Sequence, residues 1–222
     1  MEYSANILKK HLKLVRLNVI KAISFLTILV FSWNMAFAEE VAALTPAPVP
    51  PTAEVIKLIG KVTLDDTPLK VGDVINKRGM IVTADKSYIQ FKIDKWKNNI
   101  SIGANSKMDL NFSDEKKYTL EKGYCRWKSF ATSESKGKIF TKNSALGVRG
   151  TDFLLKYNAS MGETEVIMFD GAVFFENSAD KSNAFEIKKG QWGGIGGRFG
   201  QKINPPLDLP KEVLDTMEKT IE

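Results

Sequence analysis

Short segments of the chain alternate between hydrophobic and polar residues. Apolar residues occupy every second position in segments 89–93, 108–112 and 153–157, and again in 173–175 and 185–187. A period of two places one face of a strand in a core and the other face in water. Turn-rich stretches separate these runs. The pattern therefore predicts an all-β fold of short strands, arranged as a sandwich, a barrel or a solenoid-like coil.

Glycine stands just before an apolar strand at four places in the chain, namely Gly60, Gly123, Gly171 and Gly190. Glycine supplies the positive φ that a hairpin or a corner requires. The intervals between the four glycines are irregular, so they indicate repeated corners and not a regular sequence repeat.

The C-terminal region changes character twice. Segment 190–200 holds six glycines, which is typical of a bent or flexible terminal strand, because no phosphate-binding motif accompanies them. Segment 208–222 predicts a short helix, with Asp208 as its cap and Pro210 in its first turn. Its apolar residues at intervals of four are Leu209, Val213, Met217 and Ile221. We expect this helix to pack on the β body or on a partner.

The N-terminus is typical of an export signal. Segment 1–21 contains five basic residues and one acidic residue, and segment 22–38 is uncharged and largely apolar. It ends in Ala36-Phe37-Ala38, which predicts a signal peptide over 1–38 that is cleaved after Ala38. The alternative is a retained inner-membrane anchor. In both cases the remaining chain is expected outside the cytoplasm, in the periplasm or exported.

The exported part divides into three regions. Segment 39–54 is a proline-rich linker that favours an extended conformation. Segment 55–203 is the predicted β domain, and segment 204–222 is the C-terminal tail with its helix.

Charge argues against a nucleic-acid partner. The whole chain has a formal charge of +6, but segment 1–38 supplies +4 of it, so segment 39–222 carries only +2. Segment 86–142 has 13 basic and 6 acidic residues. This local excess is either a solvated lysine-rich surface or a patch for an anionic envelope polymer or lipid head group.

The residues needed for several kinds of catalysis are missing. The one histidine, His11, lies in the predicted signal peptide, which excludes histidine-based triads and metal sites from the exported part. Cys125 is expected to be a small buried thiol. Two adjacent acidic pairs, Asp65-Asp66 and Asp114-Glu115, cannot face one substrate from a strand. We therefore expect no enzyme, no catalytic residue, no bound metal and no cofactor.

The most specific string is Ala145 to Phe153, read ALGVRGTDF. Gly147 and Gly150 bracket a tight turn, and Phe153 enters a strand with its side chain inward. Arg149 lies between the glycines, where its guanidinium could bridge backbone carbonyls or a carboxylate. This arginine is expected either to pin a corner or to contact an anion or a partner.

This string resembles the signature of the FecR family, the ferric-citrate regulator proteins of bacterial envelopes, and the similarity covers about 55–195. The signature positions are Gly147, Val148, Arg149, Gly150, Thr151 and Phe153. Other segments that resemble the family, in the same order, are 69–75 with 81–83, 102–106, 120–123, 170–173 and 187–191.

The resemblance implies an all-β periplasmic FecR domain that binds a partner or senses a signal without being an enzyme. About 21 residues precede the apolar N-terminal segment, fewer than the family's cytoplasmic anti-sigma region needs, so that region is expected to be lacking. The implied partner is an envelope protein or a cell-wall polymer, with a membrane contact only if the N-terminal segment is uncleaved. The alternative is a structural envelope protein that binds anionic glycan or lipid through 86–142.

Overall fold

The computed structural model describes residues 52–93, 98–111, 117–129, 137–148 and 150–220. Within these residues the chain forms short strands, one 3-10 turn (Gly197–Phe199) and one C-terminal helix, which confirms the predicted all-β class. In chain order the elements are β1 (Ala53–Ile59), β2 (Val62–Leu64), β3 (Thr67–Pro68), β4 (Val74–Ile75), β5 (Gly79–Thr83), β6 (Tyr88–Ile93), β7 (Asn98–Ile102), β8 (Lys107–Leu110), β9 (Lys117–Ser129), β10 (Gly137–Phe140), β11 (Ser144–Val148), β12 (Asp152–Asn158), β13 (Glu163–Asp170), β14 (Ala172–Asn177), β15 (Ala184–Lys188), β16 (Gln191–Ile195), β17 (Leu207–Asp208) and α1 (Lys211–Thr220).

The strands form two sheets that share the long strand β9. Sheet A has the order β4-β1-β6-β7-β9-β12-β13-β16-β17. Sheet B has the order β3-β2-β5-β8-β9-β10-β11-β14-β15. The first half of β9 pairs in sheet B and its second half pairs in sheet A. The chain alternates between the sheets, so the fold combines the predicted sandwich with a solenoid-like path.

One hydrophobic core lies between the sheets. The alternating residues of β6 and β12 supply much of it: Ile89, Phe91, Phe153 and Leu155 are fully buried. Burial of each such side chain stabilises the fold by about 1.5–3 kcal/mol. The inward faces predicted for these strands are therefore confirmed.

The four glycines that precede apolar strands all lie where the chain passes from one sheet to the other. Gly60, Gly123, Gly171 and Gly190 have φ between 73° and 91°. At Gly123 a side chain would also collide with the backbone, because its Cβ would lie 2.6 Å from Cα of Ser106. The predicted corners are thus confirmed. At each one the chain leaves one sheet, and the strand that follows pairs in the other sheet.

The C-terminal helix starts later than the sequence predicts. Asp208 does not cap it, because this residue belongs to β17 and its carboxylate accepts a hydrogen bond from Gln191 at 3.0 Å. The backbone carbonyl of Pro210 instead accepts the N–H of Leu214 at the start of α1. The packed side includes Leu214 and Met217.

Helix α1 covers part of the outer face of sheet A. Leu154 and Ile167 on that face are 1% exposed, although simple alternation placed the outer face of these strands in water. A helix laid over a sheet buries both faces of the strands beneath it. Strand β1 begins at Ala53, inside the segment assigned to the linker.

In the described part of the chain, no helix has the length and apolar character needed to cross a membrane.

Candidate functional site

The glycine-rich signature forms a corner between the two sheets. Val148 ends β11 in sheet B, and Asp152 begins β12 in sheet A. Between them, Gly150 has φ of 60°, and Arg149 lies outside the described residues. The backbone of Thr151 holds this corner to the end of β9, because its N–H donates to Oγ of Ser129 at 2.9 Å and its carbonyl accepts the N–H of Ser129 at 2.8 Å. We call residues 147–152 the signature corner.

A second corner packs directly on the first. A Cβ on Gly171 would lie 2.5 Å from the carbonyl oxygen of Gly150, so the two backbones approach more closely than side chains would allow. Gly171 connects β13 to β14 and also passes from sheet A to sheet B. Glycine is required at this contact for space as well as for its positive φ.

Most of the described signature side chains are buried. Val148, Thr151 and Phe153 are at most 3% exposed. Gly147 is the signature position on the outer face of sheet B, where it pairs with Phe174 of β14, a side chain that is 54% exposed.

An ion pair lies beside the signature corner on the outer face of sheet A. Arg126 of β9 donates from Nε to Oδ1 of Asp152 at 2.8 Å and from an Nη atom to Oδ2 at 2.9 Å. Both side chains are at most 10% exposed. Burial alone would lower the pKa of Arg126, but its bonds and charge attraction to Asp152, and then to Glu218, outweigh burial and raise it. Arg126 therefore keeps its charge at any ordinary pH.

The same arginine links the signature corner to the C-terminal helix. Its Nη also donates to Oε1 of Glu218 in α1 at 2.7 Å, and its guanidinium carbon lies 4.9 Å from the centre of the Phe169 ring. Glu218 is 43% exposed, so this outer contact is more accessible to water than the inner pair. We call Arg126, Asp152 and Glu218 the arginine cluster.

The sequence did not identify the arginine cluster. Arg126 follows Cys125 in β9, and successive strand residues point to opposite faces, so the Cys125 thiol lies in the core and the Arg126 guanidinium on the outer face. Asp152 directly precedes the alternating run 153–157, on the face that alternation leaves to water, but in the structure its contacts with Arg126 and the surrounding fold leave it only 7% exposed. The sequence did contain one indication of a buried ion pair, namely the charged residue Arg126 between the apolar residues Cys125 and Trp127, since a buried charge is normally paired.

Cys125 is a buried free thiol, as expected. Burial raises its pKa to about 12, so it is protonated and a poor nucleophile at neutral pH. Among the described residues, no group of three histidine, cysteine, aspartate or glutamate side chains is placed to hold a metal ion.

Two clefts flank the hairpin that joins β12 to β13, at the opposite end of β12 from the signature corner. One has a volume of about 360 Å³ and is lined by residues that include Lys122, Tyr124 and Lys156. The other has a volume of about 400 Å³ and is lined by residues that include Lys142 and Met161. Tyr157 contributes to both clefts.

Comparison with known proteins identifies the domain. The family model described as "FecR protein" matches residues 80–174. That range contains the signature corner together with Arg126 and Asp152, and ends before α1. No curated protein matches the chain in sequence.

Two crystal structures of a candidate anti-sigma factor from Parabacteroides distasonis have a similar fold. One, at 2.50 Å resolution, is 11% identical with a TM-score of 0.53, and the match covers 64% of this chain and 64% of the other. The second, at 1.65 Å, is also 11% identical with a TM-score of 0.52, and the match covers 63% of this chain and 64% of the other. The chain thus spans somewhat less than two thirds of those proteins, and the likeness shows a shared fold.

The predicted family resemblance is therefore confirmed: this chain contains a FecR domain, matched over residues 80–174.

Proposed function

We propose that this protein is an exported, non-enzymatic binding and signal-sensing module that acts through contacts with an envelope protein. The observation that carries the proposal is the FecR domain itself, with its signature corner joined by Arg126 to a helix outside the matched range. A signal-sensing domain needs a surface that a partner reaches and an element whose position responds, and this arrangement supplies both.

The surface that we assign to the partner is the exposed side of the signature corner. Gly147 leaves the outer face of sheet B bare beside Phe174, whose ring is more than half exposed. An exposed aromatic side chain is a common anchor in protein interfaces.

The responding element is helix α1. A displacement of the signature corner moves Asp152, and the bidentate pair transmits that movement to Arg126 and then to Glu218. The helix is short and buries few apolar residues, so its docking is easily altered.

The acidic groups of the domain support a non-enzymatic role. Asp65 and Asp66 form the turn between β2 and β3, where both have positive φ, while the pair Asp114-Glu115 lies outside the described residues. Among the described residues that line the cleft beside Tyr124, Glu165 supplies the one carboxylate, whereas hydrolysis would need two facing acids.

A capture experiment tests the proposal. The exported chain is immobilised and exposed to envelope extract, and retained proteins are identified by mass spectrometry. We expect a specific protein to be retained by the natural chain and by Val71→Ala, an exposed control, and to be lost with Phe174→Ala. Retention of nothing beyond what an unrelated β-sandwich retains would contradict the proposal, and equal retention by Phe174→Ala would remove the partner from the signature corner.

Export and location are part of the proposal and rest on segment 1–38, which lies outside the described residues. The test is mass spectrometry of N-terminal peptides from fractionated cells. A peptide that begins at Glu39 in the soluble envelope fraction agrees with cleavage, whereas an intact N-terminus in the membrane fraction agrees with the anchored alternative. The full-length chain in the cytosol would contradict both.

The second candidate function is binding of an anionic glycan or lipid through 86–142. Three described basic residues of this segment are already paired with carboxylates: Arg126 and Lys128 with Asp152, and Lys107 with Glu121. A narrower form of this candidate, binding at one cleft, is favoured by the cleft beside Tyr124, where Lys122 and Lys156 form no ion pair with other described residues.

A further inference from the structure

The cleft beside Tyr124 is built by two corners and a hairpin. It lies between the corner of β9 at Gly123 and the hairpin that follows β12, and its volume is about 360 Å³. The ring of Tyr124 leans over Gly103, in space that any side chain at position 103 would occupy. A half-buried tyrosine ring therefore forms one wall of the cleft. We call this the Tyr124 groove.

The groove carries a net positive charge. Lys122 and Lys156 line it, and neither forms an ion pair with any other described residue. The carboxylate in the groove, Glu165, is already engaged: it accepts a hydrogen bond from Nε1 of Trp192 at 3.1 Å and lies 3.6 Å from Arg198. The groove is thus lined by two ammonium groups and one carboxylate that lies across the strand pair from Lys156, and this net charge of +1 attracts an anion.

Neutral polar groups complete the lining. The side-chain oxygen of Asn158 accepts the backbone N–H groups of Ser160 and Met161, at 3.1 Å and 3.3 Å, which leaves its amide NH₂ to donate. The amide nitrogen of Asn105 donates to Asp85 at 3.3 Å, which leaves its oxygen to accept. The hydroxyl of Ser160 can do both.

We propose that the Tyr124 groove binds an acidic saccharide, a short oligosaccharide of uronic acids. The C–H groups of a sugar ring pack on the electron-rich face of an aromatic ring, and amide and hydroxyl groups pair with sugar hydroxyls. The two ammonium groups bind the carboxylates. A phosphoryl ligand fits less well, because the described residues that line the groove include no arginine and no helix N-terminus.

The test uses the full exported chain and trigalacturonic acid as the probe, measured by isothermal titration calorimetry. The charge-removing variant is Lys122→Gln/Lys156→Gln. The matched control is Lys138→Gln/Lys181→Gln, which removes the same charge at two exposed lysines that line neither cleft. Thermal unfolding of all three proteins verifies that each one is folded.

We expect the natural chain and the control to bind the probe equally, and the groove variant to bind about fivefold to tenfold more weakly, as the loss of two partly exposed charge contacts requires. Affinity should also fall as salt is raised from 50 mM to 500 mM, since ions screen such contacts. The fully methyl-esterified probe, which has no charge, should bind more weakly by a similar factor.

Three results would overturn the assignment. One is no binding of trigalacturonic acid at millimolar concentration. Another is equal weakening in the groove variant and the control, which would show a general charge effect. The third is displacement of the probe by inorganic phosphate at an equal concentration, which would show an anion site without saccharide recognition.

Discussion

Removal of the Arg126 guanidinium should destabilise the domain far more than removal of any exposed charge. In Arg126→Met the apolar stem is retained, but both hydrogen bonds to Asp152 are lost. Asp152 then keeps one described cationic neighbour, Lys128, whose Nζ lies 3.5 Å from Oδ2 and whose side chain is 47% exposed. The variant therefore isolates a carboxylate that is 10% exposed in its side chain.

The cost follows from that geometry. Breaking a buried ion pair by removing one partner typically costs about 3–5 kcal/mol. Because Lys128 partly compensates Asp152, we expect a loss near the lower end, about 3 kcal/mol. The double variant Arg126→Met/Asp152→Leu removes both charges and should recover most of this loss, since an apolar pair of similar volume is often as stable as the ion pair it replaces.

Urea unfolding followed by tryptophan fluorescence measures the effect, with the free energy of unfolding extrapolated to water. Arg126→Lys is the intermediate variant, because a lysine keeps the charge but cannot make the bidentate contact. The reasoning fails if Arg126→Met costs less than about 1 kcal/mol, or if the double variant is no more stable than Arg126→Met.

Three further predictions concern the helix, one corner and the buried thiol. In Glu218→Gln we expect the free energy of unfolding to fall by only about 0.5–1 kcal/mol, because the contact with Arg126 is half exposed. Hydrogen exchange should become faster in α1 and stay unchanged in β12. Equal acceleration in both elements would contradict a local role of Glu218 in docking the helix. Gly123→Ala should lower the free energy of unfolding by at least about 2 kcal/mol, because the strain of a positive φ adds to the collision with Ser106. The control is Gly72→Ala, which should cost about 1 kcal/mol, since Gly72 has the same φ of 91° but no atom within 4 Å of an added Cβ. Equal losses in the two variants would refute the contribution of the collision. Burial raises the folded pKa of Cys125 from 9.0 to about 12, so unfolding between these pH values releases a proton from the thiol. The free energy of unfolding should therefore fall between pH 9 and pH 12, by at most about 1.4 kcal/mol per pH unit from this group. The fall should be less steep in Cys125→Ala, and an unchanged slope would count against the buried thiol.

The corners were predictable because their chemistry is local. Gly60 and Gly171 precede apolar strands, and the conformation that they adopt is one that other residues avoid, so sequence alone points to a turn. The sequence did not show that the chain passes from one sheet to the other at these corners, since strand pairing depends on residues far apart in the chain.

The start of the helix was wrong for a related reason. Asp208 is a good capping residue, but its backbone pairs with Gln191 and extends sheet A by one short strand. A local preference of about 1 kcal/mol was outweighed by a pairing that only the folded sheet offers.

Alternation and glycine placement in the sequence by itself determined the class of fold and the inward faces of the strands, because each depends on neighbouring residues, while the family was indicated by the resemblance of the string at 145–153. The tertiary structure alone decided which outward residues are buried. Asp152 lies 26 positions and Glu218 lies 92 positions after Arg126 in the chain. The three residues meet only after both sheets and the helix have assembled. Contacts of such separation leave no periodic trace in the sequence, since their partners are chosen by the packing of whole elements.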